Sequence, residues 1–199
     1  MFTWFKWGWK KYNNEINYEI NSNKGEILVD GEKITQKNIN KIAYVPDIPI
    51  HDLGWTVPQN LEFAKVFYPG FDTEKAERMI KFFKVPTDKK LKELSKGNLA
   101  RFNIIVGMCQ KAPYILLDEP FSGIDVFTRQ SFISMLKSEF LDKGQTVVIT
   151  THEIDEVQDI ADYVVLLEEG QVFANFSKAD AQAEGLTIVE KMRTLYCEV

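Results

Sequence analysis

Two adjacent carboxylates close an apolar run, Tyr114-Ile-Leu-Leu-Asp-Glu-Pro120. A short apolar segment between Pro113 and Pro120 suits a fully buried strand of a parallel sheet. Ligands of open α/β sheets gather at the carboxyl ends of such strands. The two-residue period of a strand points Asp118 and Glu119 in opposite directions. One carboxylate can then hold Mg²⁺, directly or through water, while the other orients or deprotonates an attacking water. The plainer reading is an acidic pair capping the next helix. Upstream, Leu94-Ser-Lys-Gly-Asn98 places a good helix cap, Ser95, beside Gly97, where backbone can approach a ligand. Free N–H groups at a helix start make a phosphate site, although Ser-x-Gly also begins many ordinary helices. A third group, Thr150-Thr-His152, ends the β-branched run Thr146-Val-Val-Ile-Thr150. A lone His is usually structural, yet this imidazole falls on the side expected for the carboxylates, where it could contact a phosphate or polarise water.

The elements that must position these groups alternate. Gly25-Glu-Ile-Leu-Val-Asp-Gly31 reads as a strand entering an Asp-Gly turn, and Ile42–Val45 as a strand stopped by Pro46. From Thr56 to about Gln110 the pattern is helical, with Ala76, Met79, Ile80 and Phe83 at spacings of three and four. Beyond it come the strand at Tyr114, a helix over Val126–Phe140, the strand Thr146–Thr150, a helix over Glu153–Ala161, the strand Tyr163–Leu167 and a turn at Glu169-Gly170. Such alternation predicts an α/β fold with a mainly parallel sheet. The expected layout is one domain with a small N-terminal β region: a divergent segment over 1–24, an α/β core over 25–54 and 111–175, an inserted helical subdomain over 55–110, and a tail over 176–199. The first ten residues, with Phe5, Trp7 and Trp9 alternating, read as an edge strand, a tail or an interfacial contact.

The composition agrees. The 199 residues carry 24 basic and 29 acidic side chains, a net charge of −5, with 45% apolar residues. Disordered and collagen-like classes are excluded, no apolar run is long enough to cross a bilayer, and an acidic chain is a poor general binder of nucleic acid. Cys109 and Cys197 support neither a disulfide framework nor a Cys-x-x-Cys metal site, so a reducing compartment is expected.

Taken together, the order and spacing of these groups resemble the nucleotide-binding subunit of an ATP-binding cassette (ABC) transporter, over residues 25–175. Leu94-Ser-Lys-Gly-Asn98 resembles the family's signature motif, with Lys96 and Asn98 in place of its usual Gly and Gln. Ile115–Pro120 resembles the Walker B strand with its catalytic glutamate, Ser122-Gly-Ile-Asp125 the D-loop, and His152 the switch histidine. Asp47 stands where the family has Gln or Glu, one methylene shorter. The stretch Phe67-Tyr-Pro-Gly-Phe-Asp72 is similar to bacterial exporter-type members. The resemblance implies a P-loop NTPase-like fold, ATP and Mg²⁺ as cofactors, Glu119 and His152 as catalytic groups, and Asp118, with Asp47, on the metal. It implies Leu94, Ser95, Gly97 and Asn98 on the nucleotide of a partner subunit, and Ser122, Gly123 and Asp125 at the dimer interface. Tyr12 is matched to the aromatic that stacks on adenine. The implied partners are a transmembrane permease subunit, met near residues 55–70, and a second ATPase subunit, either another copy or an intact relative, on the cytoplasmic face of the membrane.

One part is missing. A phosphate-binding P-loop requires G-x-x-x-x-G-K-S/T, and none of the 11 glycines is followed by Lys. Without that loop, no backbone cradle and no Lys hold the β- and γ-phosphates. Two readings follow: an ATPase subunit driving export, in truncated or divergent form, or a P-loop-less pseudo-ATPase that lends only its signature motif to a heterodimer. An ABC ATPase of DNA repair or translation is disfavoured, since long coiled coils and tandem cassettes are absent. Loss of the P-loop strand and helix is expected to bare the apolar surface beside Ile115-Leu-Leu117, with Phe2, Trp4, Phe5, Trp7 and Trp9 as candidates to fill the gap.

Overall fold

A computed structural model describes residues 2–4, 28–136 and 140–197. Tyr12, Phe5, Trp7, Trp9 and the Asn-rich stretch over 13–24 lie outside the described residues. In chain order the elements are β1 (Phe2–Trp4), β2 (Leu28–Val29), β3 (Glu32–Lys33), β4 (Ile42–Val45), α1 (Val57–Phe67), α2 (Thr73–Phe83), α3 (Lys96–Met108), β5 (Tyr114–Asp118), α4 (Val126–Leu136), β6 (Thr146–Thr150), α5 (Ile154–Val157), β7 (Tyr163–Glu168), β8 (Gln171–Ser177), α6 (Lys178–Ala183) and α7 (Ile188–Cys197).

The main sheet runs β4-β5-β6-β1-β7-β8. All neighbouring pairs are parallel except the β7–β8 hairpin, so the expected mainly parallel α/β sheet is present. Asp30 and Gly31, at φ 54° and 77°, join β2 to β3. That pair of left-handed residues is what a tight two-residue hairpin turn needs.

The first strand corrects an expectation. An edge strand was one of the readings of the first ten residues, but β1 lies inside the sheet, parallel to both β6 and β7. A three-residue strand can be central because both neighbours satisfy its backbone groups. The Tyr114 strand corrects another. It is not buried on both faces: Ile115 and Leu117 are fully buried, whereas Tyr114, Leu116 and Asp118 are half-buried. The same alternation crosses the register, with Ala43, Ile115 and Val147 at one level and Val45, Leu117 and Ile149 at the next, all buried. Helix α3 covers that face, since the Val45 side chain is its contact at Gly107. Tyr44, Leu116 and Val148 on the opposite face are only partly covered.

The helices begin as their capping residues dictate. Thr56 and Gln59 form a reciprocal cap on α1, Asp72 accepts from the Lys75 N–H at 2.9 Å on α2, and the α2 stripe Ala76, Met79, Ile80 and Phe83 is buried. One helix is shorter than expected: α5 spans only Ile154–Val157, because the N–H groups of Ile160 and Ala161 both return to the Val157 carbonyl. This turn delivers the chain to β7. Beyond residue 175, β8 continues to Ser177, and α6 and α7 pack Ala181 and Ile188 against Val164, Leu166 and Phe176. Cys109 is buried and unpaired, and burial pushes its thiol up to about 12, which leaves it unreactive.

His51 meets Phe102 edge-on, with ring centroids 5.1 Å apart, and burial pushes its imidazole down to about 4. The unfolded chain binds that proton near pH ~6.5. The folded form therefore resists protonation, and stability is full above the unfolded value. It falls by about 1.4 kcal/mol per pH unit between there and the folded value. Urea midpoints measured from about pH 7 to about pH 5 are expected to drop in the native chain and to flatten in His51→Phe.

Candidate functional site

The carboxyl ends of β5 and β6 lie side by side, with Asp118 level with Thr150. The Thr150 hydroxyl donates to Asp118 Oδ1 at 2.6 Å, and the Tyr44 hydroxyl donates to Oδ2 at 3.1 Å. Both carboxylate oxygens of Asp118 are thus held on the half-buried face of the sheet. The strand pleat does not extend to Glu119, which corrects the expectation of opposite orientations by alternation. Its φ of 43° is left-handed, so it is the departure from the strand that turns it out. Its N–H is anchored to the Thr150 carbonyl and to Thr150 Oγ1, each at 3.0 Å. A non-glycine residue in this region is costly, and those bonds over-determine it.

Glu119 and His152 are brought together. His152 Nδ1 lies 3.0 Å from Glu119 Oε2, and Nε2 lies 3.7 Å from Glu153 Oε1. The imidazole is 64% exposed and Glu119 28%, so the pair opens to solvent and to any ligand. An imidazole with its proton on Nδ1 donates it to the carboxylate, which fixes the rotamer of Glu119 while leaving its second oxygen to accept from a water. Glu153 is in turn paired with Arg129.

A second constellation forms at the start of α3. Ser95 Oγ accepts from the Asn98 N–H at 3.3 Å, and Ser95 itself is exposed. Arg101 donates to Asn98 Oδ1 at 3.0 Å and to Thr128 Oγ1 at 2.8 Å. Thr128 donates to Asp125 through its hydroxyl at 2.6 Å and its N–H at 2.9 Å. These bonds hold the Asp125 carboxyl below the usual carboxylate range. Asp125 thereby caps α4 and is tied through Thr128 and Arg101 to the α3 start. A Cβ on Gly97 would make only ordinary contacts, at 3.7 Å or more, with Thr128 and Asp125, so nothing among the described residues requires a glycine there. Gly123, at φ 70°, needs its left-handed turn, and Ser122 donates its N–H to the Glu119 carbonyl at 3.0 Å. Leu94 is half-buried against the core.

Asp47 is exposed beyond the end of β4, and no bond links it to Asp118. Among the described residues there is no group of three or more His, Cys, Asp or Glu side chains able to hold a metal. With both Asp118 oxygens already accepting hydrogen bonds, these residues do not form a resident Mg²⁺ cage. A Mg²⁺ ion at Asp118 would need phosphate oxygens and water to complete its shell.

Tyr44, Arg101 and Thr128 escaped the sequence reading. An Asp at a helix cap with a Thr three residues on, Asp125 to Thr128, was the available signal for the last. Arg101→Lys keeps the charge but loses the forked donor. It is expected to lower stability by about 1–2 kcal/mol, read as a lower melting temperature.

A family profile described as "ABC transporter" matches residues 14–122, more than half of the chain. The ABC transporter ATP-binding protein YtrB of Bacillus subtilis is 28% identical over 160 residues, covering 79% of this chain and 54% of its own length. The energy-coupling factor transporter ATP-binding protein EcfA2 of Lactococcus lactis is 35% identical over 127 residues, covering 64% of this chain and 43% of its own. The SkfA peptide export ATP-binding protein SkfE of Bacillus subtilis is 28% identical over 155 residues, covering 75% and 64%. The chain spans about half the length of the curated relatives it matches. A solved ATP-binding subunit of an ABC transporter superposes with a TM-score of 0.72 at 23% identity, covering 88% of this chain and 76% of that one. A dimeric ATP-binding cassette in a post-hydrolysis state, bound to ADP and Pi, superposes at 0.65 and 23%, covering 77% and 73%.

Proposed function

The chain belongs to the ABC transporter family of ATP-binding proteins, and on that premise we propose that it is the subunit coupling ATP binding and hydrolysis to transport through a transmembrane permease. The observation that carries this reading is the Glu119–His152 pair, 3.0 Å apart at the carboxyl ends of adjacent parallel strands. Glu119 takes the proton of the attacking water, and His152 holds its carboxylate. The Ser95, Gly97 and Asn98 end of α3, with Ser122 and Asp125, faces the nucleotide held by a second ATPase subunit. Asp118, held by the Thr150 and Tyr44 hydroxyls, lies next to the Glu119–His152 pair at the same strand end. Mg²⁺ enters as part of the Mg-ATP substrate.

The permease contact falls on α1. Trp55, Phe63 and Phe67 are exposed, and their rings form a ladder with centroids 5.8 and 5.5 Å apart. An exposed aromatic row of this kind suits a protein interface. In this reading the chain works at the cytoplasmic face of the membrane. Among the described residues, no helix is long and apolar enough to cross a membrane. Export is the direction we assign, from the Phe67–Asp72 stretch.

The absence of G-x-x-x-x-G-K from the sequence supports a second reading for the chain as translated, a pseudo-ATPase lending its signature face to an intact partner. Phosphate release from Mg-ATP tests both readings, on the chain alone and mixed with permease and an intact ATPase subunit. Release only in the mixture is expected. Steady release by the isolated chain, abolished in Glu119→Gln, would sink the pseudo-ATPase reading. ATP binding in no combination would sink both.

A further inference from the structure

Three of the chain's four tryptophans, Trp4, Trp7 and Trp9, crowd into six residues, and the site described above uses none of them. Tryptophan has a single codon, TGG, so the nucleotides around these residues are largely dictated by the protein sequence. Consider the reading displaced by one nucleotide, in which each triplet takes the last two bases of one codon and the first base of the next. The codons of Trp4 and Phe5 then yield GGT, those of Trp7 and Gly8 yield GGG, and those of Trp9 and Lys10 yield GGA. All three are glycine, whatever the codon usage elsewhere. Between them, Phe5 with Lys6 gives Leu or Ser, Lys6 with Trp7 gives Asn or Ser, and Gly8 with Trp9 gives Val, Ala, Asp or Gly. Lys10 with Lys11 gives Lys or Arg, and Lys11 with Tyr12 gives Ser or Asn. The displaced reading is G-(L/S)-(N/S)-G-x-G-(K/R)-(S/N), which admits the P-loop pattern G-x-x-x-x-G-K-S/T.

The fold puts the end of β1 where such a loop begins. A phosphate-binding loop follows a strand and opens a helix. Strand β1 runs parallel to β6, with Trp4 level with Ile149, and Ile149 is level with Leu117. The strand therefore ends one residue below the level of Asp118 and Thr150, at the sheet edge that carries Glu119 and His152. The first displaced glycine takes two of its three bases from the Trp4 codon, so it stands at the carboxyl end of that strand. Continued through Tyr12, Asn13, Asn14, Glu15 and Ile16, the displaced triplets give Thr or Ile, Thr or Ile, Thr or Met, and Lys or Arg, none of which breaks a helix. The frame as translated holds again by Leu28, where β2 and β3 form their Asp30-Gly31 hairpin.

We propose that the gene carries an intact phosphate-binding loop across the codons of Trp4 to Tyr12, read in the neighbouring frame. The loop so restored holds a nucleoside triphosphate against Asp118, Glu119 and His152. Its backbone N–H groups cradle the phosphates, and its Lys meets their charge. The assignment of the triphosphate rests on the proposed function, but the codon test does not.

The genomic nucleotides of codons 10 and 11 decide the first point, independently of any folding. AAA for Lys10 and AAG for Lys11 are expected, giving Lys and then Ser. AAG for Lys10 would put Arg in the Lys place, and AAA for Lys11 would put Asn where the hydroxyl belongs; either overturns the proposal. Equilibrium dialysis with Mg-ATP decides the second point, comparing the chain as translated with a chain carrying the displaced reading up to Gly25. The restored chain is expected to bind at least about a hundredfold more tightly, the worth of two charge-assisted hydrogen bonds. A restored chain with native-like circular dichroism and no such gain overturns the loop assignment, while failure of hydrolysis with permease present overturns only the transport reading.

Discussion

Gly107→Val is expected to lower the unfolding free energy by about 3 kcal/mol or more, enough to shift the melting temperature by several degrees. A Cβ at position 107 would sit 2.2 Å from Val45 Cγ2, far inside any van der Waals contact. Val45 is 5% exposed at the end of β4, and its short branched side chain has few rotamers to move into. Position 107 also lies in the buried half of α3, where Phe102 to Met108 are all enclosed, so the helix cannot retreat without opening the core. The glycine costs about 1 kcal/mol in helix propensity relative to Ala, and this close approach of helix to strand is what it makes possible. Gly107→Ala carries the same clash in its simplest form. Adding Val45→Ala removes Cγ2, leaving Val45 Cβ at 3.7 Å as the nearest contact. The double variant is therefore expected to melt above Gly107→Ala alone. An unchanged melting temperature in Gly107→Val would mean that α3 does not approach β4 as described.

Glu119→Gln, placed in the chain with the restored reading frame, is expected to slow phosphate release by about 10²–10⁴-fold at saturating Mg-ATP. The amide is the same size as the carboxylate and can still meet His152 Nδ1, 3.0 Å away. Geometry and nucleotide binding are therefore kept, and only proton acceptance is lost. The backbone anchor is unaffected, because it is the Glu119 N–H that bonds Thr150. In the chain as translated, the same substitution is expected to change nothing measurable when the chain is assayed alone, since no phosphate cradle delivers a substrate. The contrast between the two backgrounds separates a chemical role from a structural one. Equal loss of ATP binding and turnover in the restored chain would count against Glu119 as the proton acceptor.

Much of the architecture was readable in advance, and for local reasons. Ile42–Val45 stops at Pro46, Tyr114–Leu117 lies between Pro113 and Pro120, Thr146–Thr150 is β-branched, and all three are strands. Ala76, Met79, Ile80 and Phe83 share one helix face by spacing alone, and that face is buried. The α5 helix was overestimated because its apolar spacing continues past Val157, whereas the chain must turn back to reach β7. The Tyr114 run looked suited to burial on both sides, since four apolar residues carry no sign of which face a helix will cover. Asp118 and Glu119 were picked out by their place at a strand end, but the left-handed backbone at Glu119 was not foreseen, because no turn signal such as Asp-Gly marks it in the sequence.

The sequence by itself determined the elements, their caps, the Asp30-Gly31 turn, the order of the candidate chemical groups and, through the single tryptophan codon, a displaced glycine pattern. Each of these depends on residues within a few positions of one another. Only the tertiary structure decided that Tyr44, 74 positions away, and Thr150, 32 positions away, share Asp118 between them. It alone joined Arg101 to Thr128 across 27 positions, placed β1 inside the sheet, and aimed its end at Glu119 and His152. These contacts follow from strand order and helix placement, which arise from packing the whole chain at once, and no local pattern of residue types encodes them.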